Sequence, residues 1–293
     1  MKIISNIKNI ISLVLATSCI VAQENGHRYK NGRLIGRQIC AIVIETLFYC
    51  TDRELPDKLE EYDLLEKLEY KKKPHYSVFS KVRKNIGAEK VNKVFQFVIQ
   101  QYYRKRTIRL LAINSTFIPT YSKKDREALY GHVTIPKREQ TKNKPQKSLK
   151  QGYKEHAMYD VETGIPLYVR TLPANIHDSR VFGILFEYVR QKFNIANNAK
   201  LLADSAYDST KIYEILRYYD IIPVIATNGR GHYKSQKPKD KEYGKRWAIE
   251  RFFSKIKRKL NLLNNRFFRL EKVSFHVNII SIAYLIRYID LEI

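Results

Sequence analysis

From Thr107 onward the apolar runs follow one order, and that order narrows the folds open to the chain. Ile108-Arg-Leu-Leu-Ala-Ile113 is short and apolar and leads into Asn114-Ser115-Thr116-Phe117-Ile118, which predicts a buried strand. Gly152 to Asp160 predicts a second strand, Glu162-Thr163-Gly164 a turn, and Ile165 to Thr171 a third strand that closes a hairpin. Asp178 or Ser179 is placed to cap a helix from Arg180 to Phe193, with Val181, Phe182, Ile184, Leu185, Tyr188 and Val189 as its apolar positions. Lys200 to Asp204 reads as a fourth strand ending in a carboxylate. Ser205 to Ser209 opens a helix from Thr210 to Tyr219, and Ile221 to Ala226 is a fifth strand. Three strands in a row, then alternation, is the order of an α/β fold with a mixed sheet flanked by helices.

After the fifth strand and a Gly- and Lys-rich loop comes Tyr243 to Lys257. Ile249, Phe252, Phe253, Ile256 and Leu260 recur at helical spacing and form one apolar face. Tyr243, Arg246, Glu250 and Lys257 then fall on one stripe away from it, if helix covers them all. The stripe is about 20 Å long. A carboxylate between cations along such a line suits a metal-dependent reaction on a phosphate backbone, the acid holding metal and the cations holding the strand. Its plain alternative is a solvated helix with scattered charges.

The charge balance points the same way. The chain has 54 Lys and Arg against 29 Asp and Glu, a formal net charge of +25, distributed along its length. Such an excess calls for a polyanionic partner, most simply nucleic acid. An RNA-coating protein fits the charge equally well but leaves the organised strands unexplained. Cys19, Cys40 and Cys50 are odd in number and form no CxxC pair, so neither a zinc site nor a disulfide framework is expected, and a reduced compartment is. Lys2, Lys8 and the apolar stretch from Ile10 to Ala22 resemble a secretory leader in part. The stretch is too short to span a membrane, and an apolar first helix is the alternative.

Residues 1–106 read as a basic helical region. Helices are expected over Arg33 to Cys50, Pro56 to Tyr70, Tyr76 to Ile86 and Glu89 to Arg104, either as a DNA-binding module or packed on the domain that follows. Tyr121 to Lys150, lysine-rich and without apolar period, predicts a flexible loop that tracks a phosphate backbone or is simply solvated. A last helix is expected over Val273 to Ile289.

Tyr243-x2-Arg246-x3-Glu250-x6-Lys257 resembles the signature of DDE transposases of the insertion-sequence-four type, and all four residues match in type and spacing. Ala203-Asp204-Ser-Ala-Tyr-Asp-Ser209, Gly152-Tyr-Lys-Glu-His156 and His177-Asp178-Ser179 resemble further motifs of that family, so the resemblance runs from about Thr107 to Ile289. It implies a ribonuclease-H-like catalytic domain over residues 107–293, in which acids from the first strand, the fourth strand and a later helix converge. The matching positions are Asn114, Asp204 and Glu250. Asp204 and Glu250 are the implied ligands of two Mg2+ ions, or Mn2+ in their place, and Tyr243, Arg246 and Lys257 the implied DNA grips. A homodimer on DNA, acting on the nucleoid in the cytoplasm and not at a membrane, is implied with them. The departure is Asn114, where the family has Asp. An amide oxygen can still ligate a metal, but one of three formal charges is lost. The chain is therefore expected to be a transposase that cuts and transfers DNA strands at element ends with impaired catalysis. The alternative is a catalytically inactive DNA-binding relic or repressor on the same scaffold. Asp160 is the nearest acid that could substitute for the missing charge.

Overall fold

The computed structural model of the chain describes residues 7, 11–20, 29–134, 147–229 and 236–289. They fall into two compact units, one formed by described residues of Met1–Arg106, Lys255–Leu262 and Ser274–Ile293, the other by those of Thr107–Ser254 and Leu263–Val273.

The first unit is helical. Its N-terminal elements are α1 (residues 11–20), α2 (Tyr29–Phe48), α3 (Leu55–Glu61), α4 (Ser77–Asn85) and α5 (Ala88–Tyr103). The expected helix over Pro56 to Tyr70 stops at Glu61, because Asp63 and Glu69 take positive φ and reverse the chain twice. Leu64 and Leu68 are still fully buried, so their helical spacing reflects the core they fill rather than a helix. Gly87, at φ 75°, separates α4 from α5. Arg83 of α4 pairs with Glu45 and, at 2.7 Å, with Asp52. Most of the apolar part of the leader-like stretch, residues 11–20, is helix α1, whereas Lys2 and Lys8 lie outside the described residues. No helix among those residues is long and apolar enough to cross a membrane.

The second unit carries the sheet. Its strands are β1 (Thr107–Pro119), β2 (Leu129–Thr134), β3 (Lys147–Asp160), β4 (Ile165–Pro173), β5 (Asn194–Ala203) and β6 (Ile222–Ile225). The order is β2-β3-β1-β5-β6, with β4 paired to β3. β3 runs antiparallel to both β1 and β4, whereas β5 and β6 run parallel to β1. This is a mixed sheet flanked by helices, as the strand order predicts. Between β4 and β5 lies α6 (Asp178–Lys192), and between β5 and β6 lies α7 (Thr210–Tyr218). The cap of α6 is His177, whose Nδ1 accepts from the Ser179 amide, so the helix starts two residues earlier than expected and Asp178 is its first residue. α8 (Trp247–Lys259) and α9 (Leu270–Tyr288) complete the chain, each contributing residues to both units.

The register decides which residues share a face. Asn114 pairs with Ala157, Ala112 with Tyr159 and Thr116 with Glu155, so all six side chains point to one side of the sheet. The Tyr159 ring meets Phe252 at 5.5 Å between centroids, which makes this the α8 face. Tyr168 of β4 stacks on Tyr188 of α6 at 4.1 Å, and the residues paired with that register, Met158 and Ile113, face α6.

The stretch expected to be a loop, Tyr121 to Lys150, is structured over its described part. Leu129–Thr134 pairs antiparallel with Lys147–Gly152 as a ribbon. Before it, the buried Asp125 carboxylate accepts from the Tyr153 hydroxyl at 2.7 Å and from the Arg269 amide at 2.9 Å. The ribbon has few apolar residues because much of it is solvated, which is why its periodicity was silent; residues 135–146 lie outside the described part.

Candidate active site on the α8 face of the sheet

Asp204 follows the last residue of β5 and keeps an extended backbone. β5 enters parallel to β1 in the register Leu110–Lys200, Leu111–Leu201 and Ala112–Leu202. Two residues further, Asn114 and Asp204 therefore stand level on neighbouring strands and on the same face. The Asp204 carboxylate is also a cap: its Oδ1 accepts from the Ala206 amide at 2.9 Å and starts a short 3-10 turn, Ser205–Tyr207. Asn114 Oδ1 accepts from the Ser115 amide at 2.8 Å. Each side chain thus has one backbone-held oxygen, which fixes its direction.

Glu250 reaches this face from the first turn of α8. Ile249, Phe252, Phe253, Ile256 and Leu260 are all buried, as the apolar spacing required, so Glu250 is left at the surface of the helix. The stripe itself is not one continuous α-helix. Lys241–Arg246 is a 3-10 segment capped by Asp240, and α8 begins at Trp247. Tyr243 and Arg246 lie on that lead-in, and Lys257 lies in the last turn of α8. The Arg246–Glu250 spacing survives the change of helix type: Nη2 of Arg246 is 2.6 Å from Oε1 of Glu250. The Arg246 guanidinium also lies over the Tyr243 ring, 5.7 Å from its centre.

The electrostatics join these groups. Burial raises the Asp204 carboxyl above its ordinary range; its cap bond and the Arg246 charge pull it down, and Asp178 and Glu250 push it up. Arg246, Asp178 and Glu250 therefore all act on Asp204. Asp178 was legible as a capping residue and as part of the His-Asp-Ser motif, not as a neighbour of Asp204. Its Oδ1 is 3.0 Å from Lys154 Nζ, both side chains are 16% exposed, and His156 Nδ1 lies 3.7 Å away. The Gly-Tyr-Lys-Glu-His and His-Asp-Ser motifs thus meet in one half-buried ion pair beside the site. Nothing in their spacing could have linked them, because they lie on different elements.

Asp160 does not substitute for the charge missing at Asn114. It pairs with Leu111, on the opposite face, and its carboxylate accepts from the Glu162 amide at 3.1 Å and the Thr163 hydroxyl at 2.7 Å to close the β3–β4 turn. Among the described residues no group of three or more His, Cys, Asp or Glu is placed to hold a metal ion. Asp204 and Glu250 remain as two carboxylates, with the Asn114 amide as the third oxygen donor. Hard oxygen donors of this kind fit Mg2+ or Mn2+ and do not fit soft metals.

A family model described as the transposase DDE domain matches residues 105–286. Among solved structures, a piggyBac transposase synaptic complex with hairpin DNA is similar over 96% of this chain and 72% of that one, at 12% identity and a TM-score of 0.42. A Mos1 transposase paired-end complex is similar over 80% of this chain and 76% of that one, at 11% identity and a TM-score of 0.26. No curated protein sequence matches.

Proposed function

The chain belongs to the transposase DDE domain family, and from that membership we propose that it is a DNA transposase of the insertion-sequence-four type, acting on element ends. The observations that support the reading are the register that sets Asn114 and Asp204 each two residues past the Ala112–Leu202 pair, and the 2.6 Å contact of Arg246 with Glu250. Asp204 and Glu250 would be the carboxylate ligands of the divalent metal, and Asn114 Oδ1 the neutral third donor. Mg2+ or Mn2+ held there supplies Lewis acidity at the scissile phosphate. Water attacks the phosphorus, the P–O3′ bond breaks, and the 3′ oxygen leaves as a hydroxyl. That hydroxyl then attacks a target phosphate in line and displaces its 3′ oxygen. Arg246 suits a two-point grip on phosphate, with Tyr243 and Lys257 as further contacts. Two ends must be joined, so the working form is a homodimer on DNA, on the nucleoid.

Asn114 supports a second reading, a DNA-binding relic that occupies element ends without cutting them. Two carboxylates offset two divalent ions less well than three. Strand cleavage of DNA carrying the sequences that flank the reading frame separates the two. Cleavage that needs Mg2+ or Mn2+ and is abolished by Glu250→Gln supports the transposase. End-specific binding that is indifferent to metal, with no cleavage, supports the relic.

A further inference from the structure

We infer that Arg246 competes with a divalent cation for the Glu250 carboxylate, so that metal enters the site fully only when a DNA phosphate draws Arg246 away. The inference rests on the metal-site reading of Asp204 and Glu250 above.

Arg246 is the cation seated on Glu250. Its Nη2 is 2.6 Å from Oε1, and its side chain is 20% exposed against 51% for Glu250. The neighbouring Lys245 is engaged elsewhere, 2.7 Å from Glu242. The same guanidinium acts on Asp204, where its charge opposes the effect of burial. One positive charge thus serves both carboxylates that would ligate the metal. With Asn114 uncharged, the two acids carry two negative charges, and Arg246 neutralises one of them. A divalent cation approaching this pair meets half the charge that the acids themselves provide.

Arg246 also has somewhere else to go. A guanidinium binds phosphate through two parallel N–H donors, and that bond is at least as favourable as one to a carboxylate. Arg246 sits at the junction of the 3-10 lead-in and α8, and leaving Glu250 needs only a rotamer change of its own side chain. When a phosphate takes the guanidinium, both carboxylates are released to the cation. DNA and metal then favour each other's binding by one shared factor.

The test is Mn2+ binding to the full chain, read from the electron paramagnetic resonance of free Mn2+, with and without a short DNA duplex. Wild type is compared with Arg246→Gln, Glu250→Gln and, as a control for net charge, Lys245→Gln. Thermal melts establish that each variant is folded. Arg246→Gln is expected to bind Mn2+ about threefold to tenfold more tightly without DNA, with Lys245→Gln near wild type. Duplex is expected to tighten Mn2+ binding in wild type by a similar factor and to add little in Arg246→Gln. Unchanged or weaker Mn2+ binding in Arg246→Gln, or an equal response to DNA in both, overturns the inference. The controls keep the two claims apart. If Glu250→Gln binds Mn2+ as wild type does, the metal-site reading fails and takes the inference with it. If Glu250→Gln loses Mn2+ while Arg246→Gln is unchanged, the inference alone fails.

Discussion

Asn114 and Asp204 each lie two residues past the parallel pair Ala112–Leu202, Asn114 within β1 and Asp204 just beyond the end of β5 in extended backbone. On the proposed site, the Asn114 amide takes the place of the family's first carboxylate. The substitution removes charge and leaves the local backbone as it is, since Asn114 Oδ1 is held by the Ser115 amide.

Asp204 has two separable roles. Asn caps a helix start as well as Asp does, so Asp204→Asn is expected to keep the cap to Ala206 and leave stability within about 1 kcal/mol of wild type. Relief of carboxylate burial acts in the stabilising direction. Asp204→Ala loses the cap and costs about 1 kcal/mol. Both variants are expected to lose Mn2+ binding. Urea denaturation beside Mn2+ titration distinguishes the roles, and a large destabilisation in Asp204→Asn would mean that the carboxylate is mainly structural.

Lys154 and Asp178 form the ion pair beside the site. Lys154→Met leaves a largely buried carboxylate without its cation and is expected to cost about 2–4 kcal/mol. Asp178→Asn alone strands the ammonium and costs a similar amount. The double variant is expected to recover a good part of the loss, because both charges are gone. Additive losses in equilibrium unfolding would show that the pair is not coupled.

His156 is buried, and burial lowers its pKa from 6.5 to about 4; Lys154 also lowers it, and Asp178 opposes both. The folded state holds it neutral, while the unfolded chain takes up a proton below pH 6.5. Its contribution is therefore complete above pH 6.5 and is lost as pH falls toward 4, on the order of 3 kcal/mol. His156→Gln removes this slope. Unfolding midpoints for wild type and variant across pH 7.0 to 4.5 on the ~1.4 kcal/mol-per-unit scale test it; parallel curves would show that His156 is protonated or exposed in the folded chain.

Gly152 opens the Gly-Tyr-Lys-Glu-His motif at a place where β1 comes close. A Cβ there would lie 2.3 Å from the Ile118 carbonyl oxygen and 2.7 Å from the Phe117 ring. Gly152→Ala is expected to destabilise by about 2 kcal/mol or more, by forcing β1 and β3 apart. A melting temperature equal to wild type would contradict this.

The sheet was legible where apolar runs are buried on both faces, as at Ile108 to Ile113 and Lys200 to Ala203. It was illegible in the β2–β3 ribbon, where Tyr130, Leu149 and the lysines face solvent and leave no period to read. The spacing of Arg246 and Glu250 foresaw their contact, although it could not tell that Arg246 precedes the α-helix. Leu64 and Leu68 misled in the opposite sense, since turns with positive φ can bury residues at helical spacing. The meeting of Lys154, His156 and Asp178 depends on how α6 returns over the sheet, and no local pattern records that path.

The most direct measurement is metal-dependent cleavage of end-bearing DNA by the chain as it stands, by Asn114→Asp, and by Asn114→Asp combined with Glu250→Gln. Restoring the third carboxylate beside Asp204 is expected to raise cleavage by about tenfold or more, and Glu250→Gln to abolish it again. No gain from Asn114→Asp, or cleavage that persists without the Glu250 carboxylate, would contradict the assignment of Asn114, Asp204 and Glu250 as one site.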